Sequence, residues 1–275
     1  MNFYVTGDKH GQFHTILQNE IVKDPNNAII ILGDAGINYY LRDLDDRLKK
    51  EISENSQCMW YIVRGNHEAR PQDVSVPYEK IWDPWVGGYV YVQEDYSTIR
   101  FFMDYGEYNI TGYRVAVIGG AYSVDKWWRL ARAGIQKETD LNYNNPKRTG
   151  WFPNEQLSSE EMKDATKLFR GIFYDFVLSH TCPISWQPTD LFLSAVDQSS
   201  VDTSMEQWMD ELKDKIEWFI WLFGHYHKDR LERPYVEMYY NDIESLDDIM
   251  NRWQGYGDEG ELAWWLVKSP NFYMK

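Results

Sequence analysis

The chain carries acids and imidazoles at the ends of apolar runs, where α/β proteins place functional groups. Five of its six histidines lie in four short signatures, and a Gly-Asp pair lies between the first two. The segments are GDKHG at 7–11, GD at 33–34, GNHE at 65–68, SH at 179–180 and GHYH at 224–227. Each follows an apolar stretch, such as AIIIL before Gly33 or MWYIV before Arg64. The repeated pattern predicts a centre that binds two metal ions.

The residue types define the chemistry of this centre. Carboxylates, imidazoles and an amide oxygen together suit first-row divalent metals rather than calcium or an iron–sulfur cluster. Two such ions, about 3.5–4 Å apart, need a bridging acid and can clamp a phosphoryl group while generating a hydroxide near neutral pH. Glycine precedes a ligand at Gly7, Gly33, Gly65 and Gly224. We expect the backbone there to turn sharply and to approach a phosphate without a Cβ atom in the way.

In this order, the motifs resemble those of the calcineurin-like metallophosphoesterase superfamily, over residues 1 to about 230. Any one motif is common, whereas all five in order, each after a predicted strand, are specific. The resemblance implies a first metal site formed by Asp8, His10 and His227, and a second formed by Asn66, His180 and His225. It also implies that Asp34 bridges the two ions. His67 would contact the phosphate and donate a proton to the leaving oxygen.

One branch of the superfamily, the protein phosphatases, is similar at RGNHE (64–68) but differs at the second motif. The branch has GDxxDRG, whereas this chain has GDAGIN at 33–38. Ile37 replaces the acid that partners the catalytic histidine, and Asn38 replaces an arginine that holds phosphate. Another group must therefore orient this histidine and hold the phosphate. The nearest candidates in sequence are Arg64, Glu68 and Arg70. We predict that Arg64 acts in catalysis.

The apolar periodicity predicts strands that alternate with helices. Strands are predicted near residues 2–6, 28–32, 59–63, 113–118, 173–179 and 218–223. Helices are predicted near 13–22, 41–55, 158–170 and 204–216. Residues 84–112 predict short antiparallel strands that extend one sheet, and further short strands are predicted near 235–240 and 263–267. The fold class is therefore α/β, and the resemblance implies a layered sandwich of two mostly mixed β-sheets flanked by helices.

The segment 119–157 follows a predicted strand and combines cations with tryptophans. We predict a lid or insertion here, in which Lys126 and Arg129 contact the substrate. The alternative is an amphipathic helix that packs Trp128 and Ala131 against the core and leaves its cations in solvent. Two further tryptophans are predicted to pack in the core, Trp151 and Trp186.

Composition restricts the possible partners and compartments. The chain fits one domain spanning 1–275, and its 43% hydrophobic residues are enough for a large core. The formal net charge of −15 disfavours nonspecific binding to duplex nucleic acid. Two cysteines give no disulfide framework. The N-terminus enters the first predicted strand at once, and the longest apolar stretch, at 218–223, is too short to span a bilayer. We therefore predict a cytoplasmic protein with no membrane segment.

Together these features predict a metal-dependent hydrolase of phosphoric esters. We predict a phosphomonoesterase that uses a metal-bridging hydroxide and acts on a small phosphorylated substrate or a nucleotide. The predicted cofactors are two divalent metal ions, manganese in the first place and iron, zinc or nickel otherwise. Two alternatives stay open. One is a phosphodiesterase or nuclease acting on short single-stranded or cyclic nucleotides. The other is a binding subunit that keeps this scaffold without turnover.

Overall fold

The computed structural model describes residues 1–41, 43–135, 149–194 and 196–259. Within them, thirteen strands form two mixed sheets, and five α-helices accompany the sheets. The strands are β1 (Asn2–Thr6), β2 (Asn27–Ile31), β3 (Met59–Ile62), β4 (Glu79–Asp83), β5 (Gly88–Val92), β6 (Ile99–Phe102), β7 (Tyr105–Ile110), β8 (Tyr113–Ile118), β9 (Phe173–Ser179), β10 (Glu217–Phe223), β11 (Arg230–Arg233), β12 (Val236–Met238) and β13 (Glu244–Ser245). The helices are α1 (Asp43–Asn55), α2 (Lys126–Arg132), α3 (Ser159–Phe169), α4 (Ser204–Leu212) and α5 (Leu246–Glu259). The predicted α/β sandwich of two mixed sheets is confirmed.

Both sheets are parallel at their centre and antiparallel at their edges. The described strands of the first sheet have the order β13-β1-β2-β3-β6-β5-β4, and those of the second have the order β11-β12-β10-β9-β8-β7. Strands β1, β2, β3 and β6 run parallel, as do β8, β9, β10 and β12. Parallel neighbours place their carboxyl ends at one edge of a sheet. Because the candidate ligands follow β1, β2, β3, β9 and β10, this topology gathers them.

Alternate residues of the buried strands face different apolar layers. In β2, Ile30 packs between the two sheets in a layer that includes Val117 of β8. Its neighbour Ile29 faces an outer layer that includes Ile52 of α1. Helices α3 and α4 cover the opposite outer face, where Met209 is buried. All five residues of β2 are buried, which explains why the strand is apolar from Ala28 to Ile31.

The predicted helix at 13–22 is wrong. The structure has two short 3-10 turns there, Ile16–Gln18 and Glu20–Lys23. Between them, Asn19 has an extended backbone with ψ of 137°. Its side chain accepts a hydrogen bond from the backbone N–H of Ile21 at 2.9 Å. This local bond competes with continuous helical bonding, so the apolar periodicity of the segment does not produce an α-helix.

The prediction that 84–112 extends one sheet is wrong for its last strand. Strands β5 and β6 join the first sheet, but β7 pairs with β8 in the second. Only residues 103 and 104 separate β6 from β7, so the chain crosses between the sheets at this point. Two strand-like segments joined by a short connection resemble a β-hairpin in sequence, and a hairpin would have kept both strands in one sheet.

The other predicted elements have mixed outcomes. Helices α1, α3 and α4 are confirmed, and α3 begins with the Ser158–Glu161 capping box. Strand β12 confirms the prediction near 235–240, whereas the strand predicted at 263–267 lies outside the described residues. Helix α5 was not predicted. No helix of the described residues combines the length and apolar character needed to cross a bilayer.

Helix α2 contradicts the predicted amphipathic packing. Trp128 is 58% exposed and Ala131 is also exposed, whereas Leu130 is the buried apolar side chain. The short helix therefore directs its tryptophans away from the core. Trp151 and Trp186 are buried, as predicted. Residues 136–148 of the predicted lid lie outside the described residues, so the lid stays a prediction.

Helix α5 joins the two sheets through a buried ionic cluster. Its residues Ile249 and Trp253 enter the layer between the sheets. Glu237 of β12 is fully buried and accepts a hydrogen bond from Arg252 Nη2 at 2.7 Å, together with one from the indole N–H of Trp253. Strand β13 of the first sheet leads directly into the helix. The C-terminal helix therefore packs into the sandwich as part of its core.

We expect Trp253→Ala to lower the free energy of unfolding by about 3–5 kcal/mol, because it opens a cavity and removes a partner of buried Glu237. Trp128→Ala is the matched control, since this side chain is 58% exposed. The control should change stability by no more than about 0.5 kcal/mol. Urea unfolding followed by circular dichroism measures both values. Equal losses in the two variants would show that α5 does not contribute to the core.

Candidate metal centre

Four candidate ligands have strained backbone conformations at the ends of strands. The φ angles are 47° for His10, 46° for Asp34, 71° for His225 and 53° for His227. Seven non-glycine residues have positive φ in the described part of the chain, and these are four of them. Such conformations cost on the order of 1–3 kcal/mol each and cluster at functional sites. The surrounding fold therefore forces these side chains to point to one place.

The first group of ligand atoms lies at the more open side of the centre. The Nε2 atoms of His10 and His227 are 2.8 Å apart, and Asp8 Oδ2 lies 3.2 Å from His227 Nε2 and 3.7 Å from His10 Nε2. Bonds of about 2.0–2.2 Å to one metal produce separations of this order. Asp8 Oδ2 is buried and makes no hydrogen bond within the described residues. A buried carboxylate oxygen of this kind fits a cation.

The second group lies deeper. His180 Nε2 lies 2.9 Å from Asn66 Oδ1, 3.6 Å from Asp34 Oδ2 and 3.3 Å from His225 Nδ1. The other ring nitrogen of His180 donates a hydrogen bond to the backbone oxygen of Leu32 at 2.8 Å. That bond orients the imidazole and leaves Nε2 available as a metal ligand.

Two carboxylates connect the groups. Asp8 belongs to both sets of candidate ligands, one with His10 and His227 and the other with Asp34 and His180. Asp34 Oδ2 also lies 3.9 Å from His10 Nε2. Both acids are thus placed between the two groups, in keeping with a bridging role for Asp34. The structure brings all seven predicted ligands together: Asp8, His10, Asp34, Asn66, His180, His225 and His227.

Charge is concentrated at this centre. Burial alone would raise the pKa of Asp8, but the charge of His180 and the nearby imidazoles of His10 and His227 hold it below its usual range. Burial likewise opposes ionisation of Asp34, yet its pKa is held well below the ordinary value by His67 and His180. In turn, the two acids raise the pKa of His180 to about 9 despite its burial. Ionised carboxylates at full burial require compensating positive charge, which divalent ions supply.

Glycines make room for the ligands. A Cβ atom on Gly65 would lie 1.9 Å from Asp34 Oδ1, and one on Gly33 would lie 1.9 Å from His180 Nδ1. Gly33 also has a φ of 99°, which other residues rarely adopt. The space beside these two glycines is filled by ligand side chains. These side chains explain the two glycines, and the approach of the backbone to a phosphate stays a prediction.

A hydrogen-bonded chain orients the amide of Asn66. Its Nδ2 donates to Ser123 Oγ at 2.8 Å, and Ser123 Oγ donates to Glu155 Oε2 at 2.5 Å. Glu155 Oε1 also accepts a bond from the backbone N–H of Ser123 at 2.9 Å. Burial raises the pKa of Glu155 to about 7. Because the amide nitrogen is held by Ser123, the amide oxygen faces the second group of ligands.

The three candidates to orient His67 support the loops instead. Glu68 is fully buried and accepts hydrogen bonds from the backbone of Gly36 at 2.8 Å and Gly65 at 3.4 Å. Arg64 is 1% exposed and bonds to Asp104 and to the backbone oxygens of residues 65 and 155. Arg70 pairs with Glu161 and Asp104. Among the described residues, none of the three hydrogen-bonds the His67 imidazole, so the predicted catalytic role of Arg64 stays a prediction.

His67 lies beside the two groups without joining them. Its backbone N–H donates to Asp34 Oδ1 at 2.8 Å, and its ring lies between those of His10 and Tyr39, with centroids 5.4 and 6.1 Å away. Burial, reinforced by the charge of Arg129, lowers the pKa of His67 even though Asp34 opposes this. A bound phosphate dianion would favour the imidazolium form that proton donation needs.

A cavity of about 810 Å³ lies over both groups and His67. Arg129 is in its wall and bonds to Asp125 Oδ2 at 2.7 Å, to the backbone oxygen of Gly150 at 2.8 Å and to the hydroxyl of Tyr39. Lys126 is not among the described residues that line the cavity. Its Nζ lies 4.5 Å from the centre of the Trp151 ring. Of the two predicted substrate cations, the structure thus places Arg129 at the site.

Comparison with known proteins agrees with this geometry. A family model described as calcineurin-like phosphoesterase matches residues 1–229. The chain belongs to this family. The matched region contains both groups of ligands and His67, and the match indicates metal-dependent hydrolysis of phosphoric esters. A search of curated proteins finds no significant match.

Sequence reasoning missed Ser123 and Glu155. Neither residue belongs to a ligand motif, and they are separated by 31 residues in sequence. One signal was present: Ser123 follows a predicted strand and the pair Gly119-Gly120, as the ligands follow their own strands and glycines. The contact with Glu155 depends on the path of the chain between them, which periodicity does not reveal.

We expect Ser123→Ala to weaken manganese binding about 10–100-fold, because partners that orient a metal ligand typically contribute this much. Titration of the metal-free protein with Mn²⁺, followed by electron paramagnetic resonance, measures the change directly. Ser97→Ala serves as the control, since Ser97 is exposed and its hydroxyl makes no bond to the centre. An unchanged affinity in a folded Ser123→Ala protein would show that the chain to Glu155 does not hold Asn66 in place.

Proposed function

We propose that this protein is a phosphomonoesterase that uses two divalent metal ions, manganese first among them, and acts on a small phosphorylated molecule or nucleotide. The observation that carries the proposal is the convergence of both ligand groups at the floor of one cavity, with His67 beside them. The family match supports the coarser activity, hydrolysis of a phosphoric ester. The net charge of −15 supports small substrates over duplex nucleic acid.

The residues divide the work of hydrolysis. When bound, the two ions supply Lewis acidity toward the phosphoryl oxygens and lower the pKa of the attacking water. His67 would donate a proton to the leaving oxygen, and its position at the cavity, next to Asp34 but outside both candidate ligand groups, supports this role. Arg129 brings a fixed positive charge to the cavity wall, where it stabilises negative charge on the phosphoryl group.

The two alternatives are less well supported. In a nuclease or cyclic-nucleotide diesterase, the exposed tryptophans of 119–157 would serve to stack the bases of the substrate. However, Trp127 and Trp128 are 45% and 58% exposed and are not among the described residues that line the cavity. A binding subunit without turnover would need no proton donor, whereas His67 lies beside a full set of ligands. The first observation argues against base stacking on these two tryptophans, and the second favours an enzyme over a binding subunit.

Metal removal and substrate comparison test the proposal together. We expect protein treated with a chelator to lose hydrolysis of para-nitrophenyl phosphate, and added manganese to restore it better than nickel, cobalt or iron. The rate with bis(para-nitrophenyl) phosphate should be lower under the same conditions. Full activity in metal-free protein would exclude the metal mechanism. Faster hydrolysis of the diester than of the monoester would favour the diesterase alternative over the monoesterase.

We expect His67→Ala to bind both metals normally but to hydrolyse alkyl phosphates about 10²–10⁴-fold more slowly, because general acid catalysis contributes this much. The defect should shrink with para-nitrophenol, a leaving group that needs little protonation. The control is His14→Ala, which changes the one histidine outside the motifs, an exposed residue bonded to Gln18. A uniform defect over all leaving groups would instead assign His67 to phosphate binding.

A further inference from the structure

The cavity has two unlike walls. Its floor is polar and contains His67 and five of the seven candidate metal ligands, namely His10, Asp34, Asn66, His225 and His227. Another part of the lining comes mainly from the segment between β9 and α4, which follows the candidate ligand His180 in the chain and also contributes the polar Gln187, Gln198 and Thr203. We call the apolar members of this lining the apolar wall, and they are Val124, Leu191, Phe192, Leu193, Val196 and Val201. Pockets built in this way bind ligands that have one polar end and an apolar body.

The apolar wall has side chains exposed to solvent, and covering them with an apolar group would be energetically favourable. Leu193 is 63% exposed and Val124 is 39% exposed. Isolated apolar residues on a surface are ordinary, but here several line one cavity that already contains a reactive centre. An apolar ligand group that removes them from water is favoured in proportion to the area it covers.

The wall is held in place by polar contacts behind it. Asp190 accepts a hydrogen bond from Arg230 Nη1 at 2.9 Å, which ties the segment to β11. The hydroxyl of Tyr122 donates to the backbone oxygen of Ser200 at 3.5 Å. Trp186, at the start of the segment, is buried in the outer core layer of the second sheet. These contacts connect the described parts of the segment to β11, to Tyr122 and to the core of the second sheet.

The charges of the cavity suit one phosphate group. Arg129 and Lys228 are the cations among the described residues that line it, and Arg129 is already bonded to Asp125. Glu206 and Asp125 add acidic groups to the same lining. A substrate with several phosphates or carboxylates would meet little further positive charge in this lining, on a chain with a net charge of −15.

We propose that the substrate is a phosphate monoester with an apolar alkyl or aryl group, which packs against the apolar wall while its phosphate lies over the metal centre. The inference rests on the proposed function and narrows its substrate class. It makes Leu193 a residue that determines specificity, because this side chain has the largest exposed fraction in the wall. Polar esters, such as glycerol phosphate, leave the wall uncovered and are poorer substrates.

The test compares esters that differ only in apolar size. Para-alkylphenyl phosphates, from phenyl to para-pentylphenyl, have leaving groups of nearly equal pKa, so chemistry stays constant while burial grows. With the manganese-loaded full chain, kcat/KM should rise about two- to fourfold per methylene group. A parallel series of n-alkyl phosphates shows whether a linear chain is sufficient or the ring is needed. A rise in either series supports the inference.

The matched variants are Leu193→Ser and Leu168→Ser. Both leucines are exposed, but Leu168 lies on α3 and is not among the described residues that line the cavity. Leu193→Ser should reduce the increase with chain length by at least half, and Leu168→Ser should leave it unchanged. Hydrolysis of phenyl phosphate without any increase along either series would overturn the inference while leaving the proposed function intact. Faster hydrolysis of glycerol phosphate than of the n-alkyl phosphates would overturn the inference too.

A binding measurement separates the inference from the proposed function. Para-alkylbenzylphosphonates present the same groups but cannot be hydrolysed at an ester bond. Their affinity for the manganese-loaded protein, measured by calorimetry, should rise with chain length and lose that dependence in Leu193→Ser. If no ester is hydrolysed at all, the proposed function fails. Calorimetry still shows whether the apolar wall binds the alkyl group. Affinities that are independent of chain length would overturn the inference.

Discussion

Two ionised carboxylates, Asp8 and Asp34, lie almost fully buried where the two sheets meet, and the rest of the site follows from their need for positive charge. Isolated buried carboxylates are very costly, so partners must converge on them. Histidine side chains that follow several strands contact these acids, and three of the histidines, His10, His225 and His227, have a strained left-handed backbone. A sandwich of parallel strands can bear this strain because its buried interior fixes where each strand ends. The same arrangement suits divalent ions, which neutralise both acids at once.

The sequence predicted the position of the candidate ligands correctly where a ligand motif directly follows a buried apolar strand. Ligands directly after apolar runs could be placed together because parallel strands end at one edge of a sheet. Prediction failed where one contact decided the outcome. The apolar periodicity predicted a helix at 13–22, but the hydrogen bond between the Asn19 side chain and the backbone of Ile21 interrupts it. Only two residues separate β6 of the first sheet from β7 of the second. The Ser123–Glu155 contact that orients Asn66 spans 32 positions, so no local pattern could have indicated it.

The departure from the protein-phosphatase motif has a structural explanation in the loop after β2. Ile37 is fully buried in an apolar layer, so it belongs to the core instead of partnering His67. Asn38 is also buried, and its Oδ1 accepts a hydrogen bond from the hydroxyl of Tyr78 at 3.0 Å. Neither side chain is among the described residues that line the cavity. Positive charge beside His67 comes from Arg129 on α2, which lines the cavity.

The two described ends of segment 119–157 are bonded to each other, and each end reaches a different part of the site. Ser123 binds Glu155, and through this pair the segment holds the ligand Asn66. Arg129 binds the backbone of Gly150 and projects into the cavity. One segment thus orients the candidate ligand Asn66 and brings a cation to the cavity. If the proposed roles hold, changes here would alter metal affinity and substrate binding together, whereas changes in the apolar wall would alter substrate binding alone.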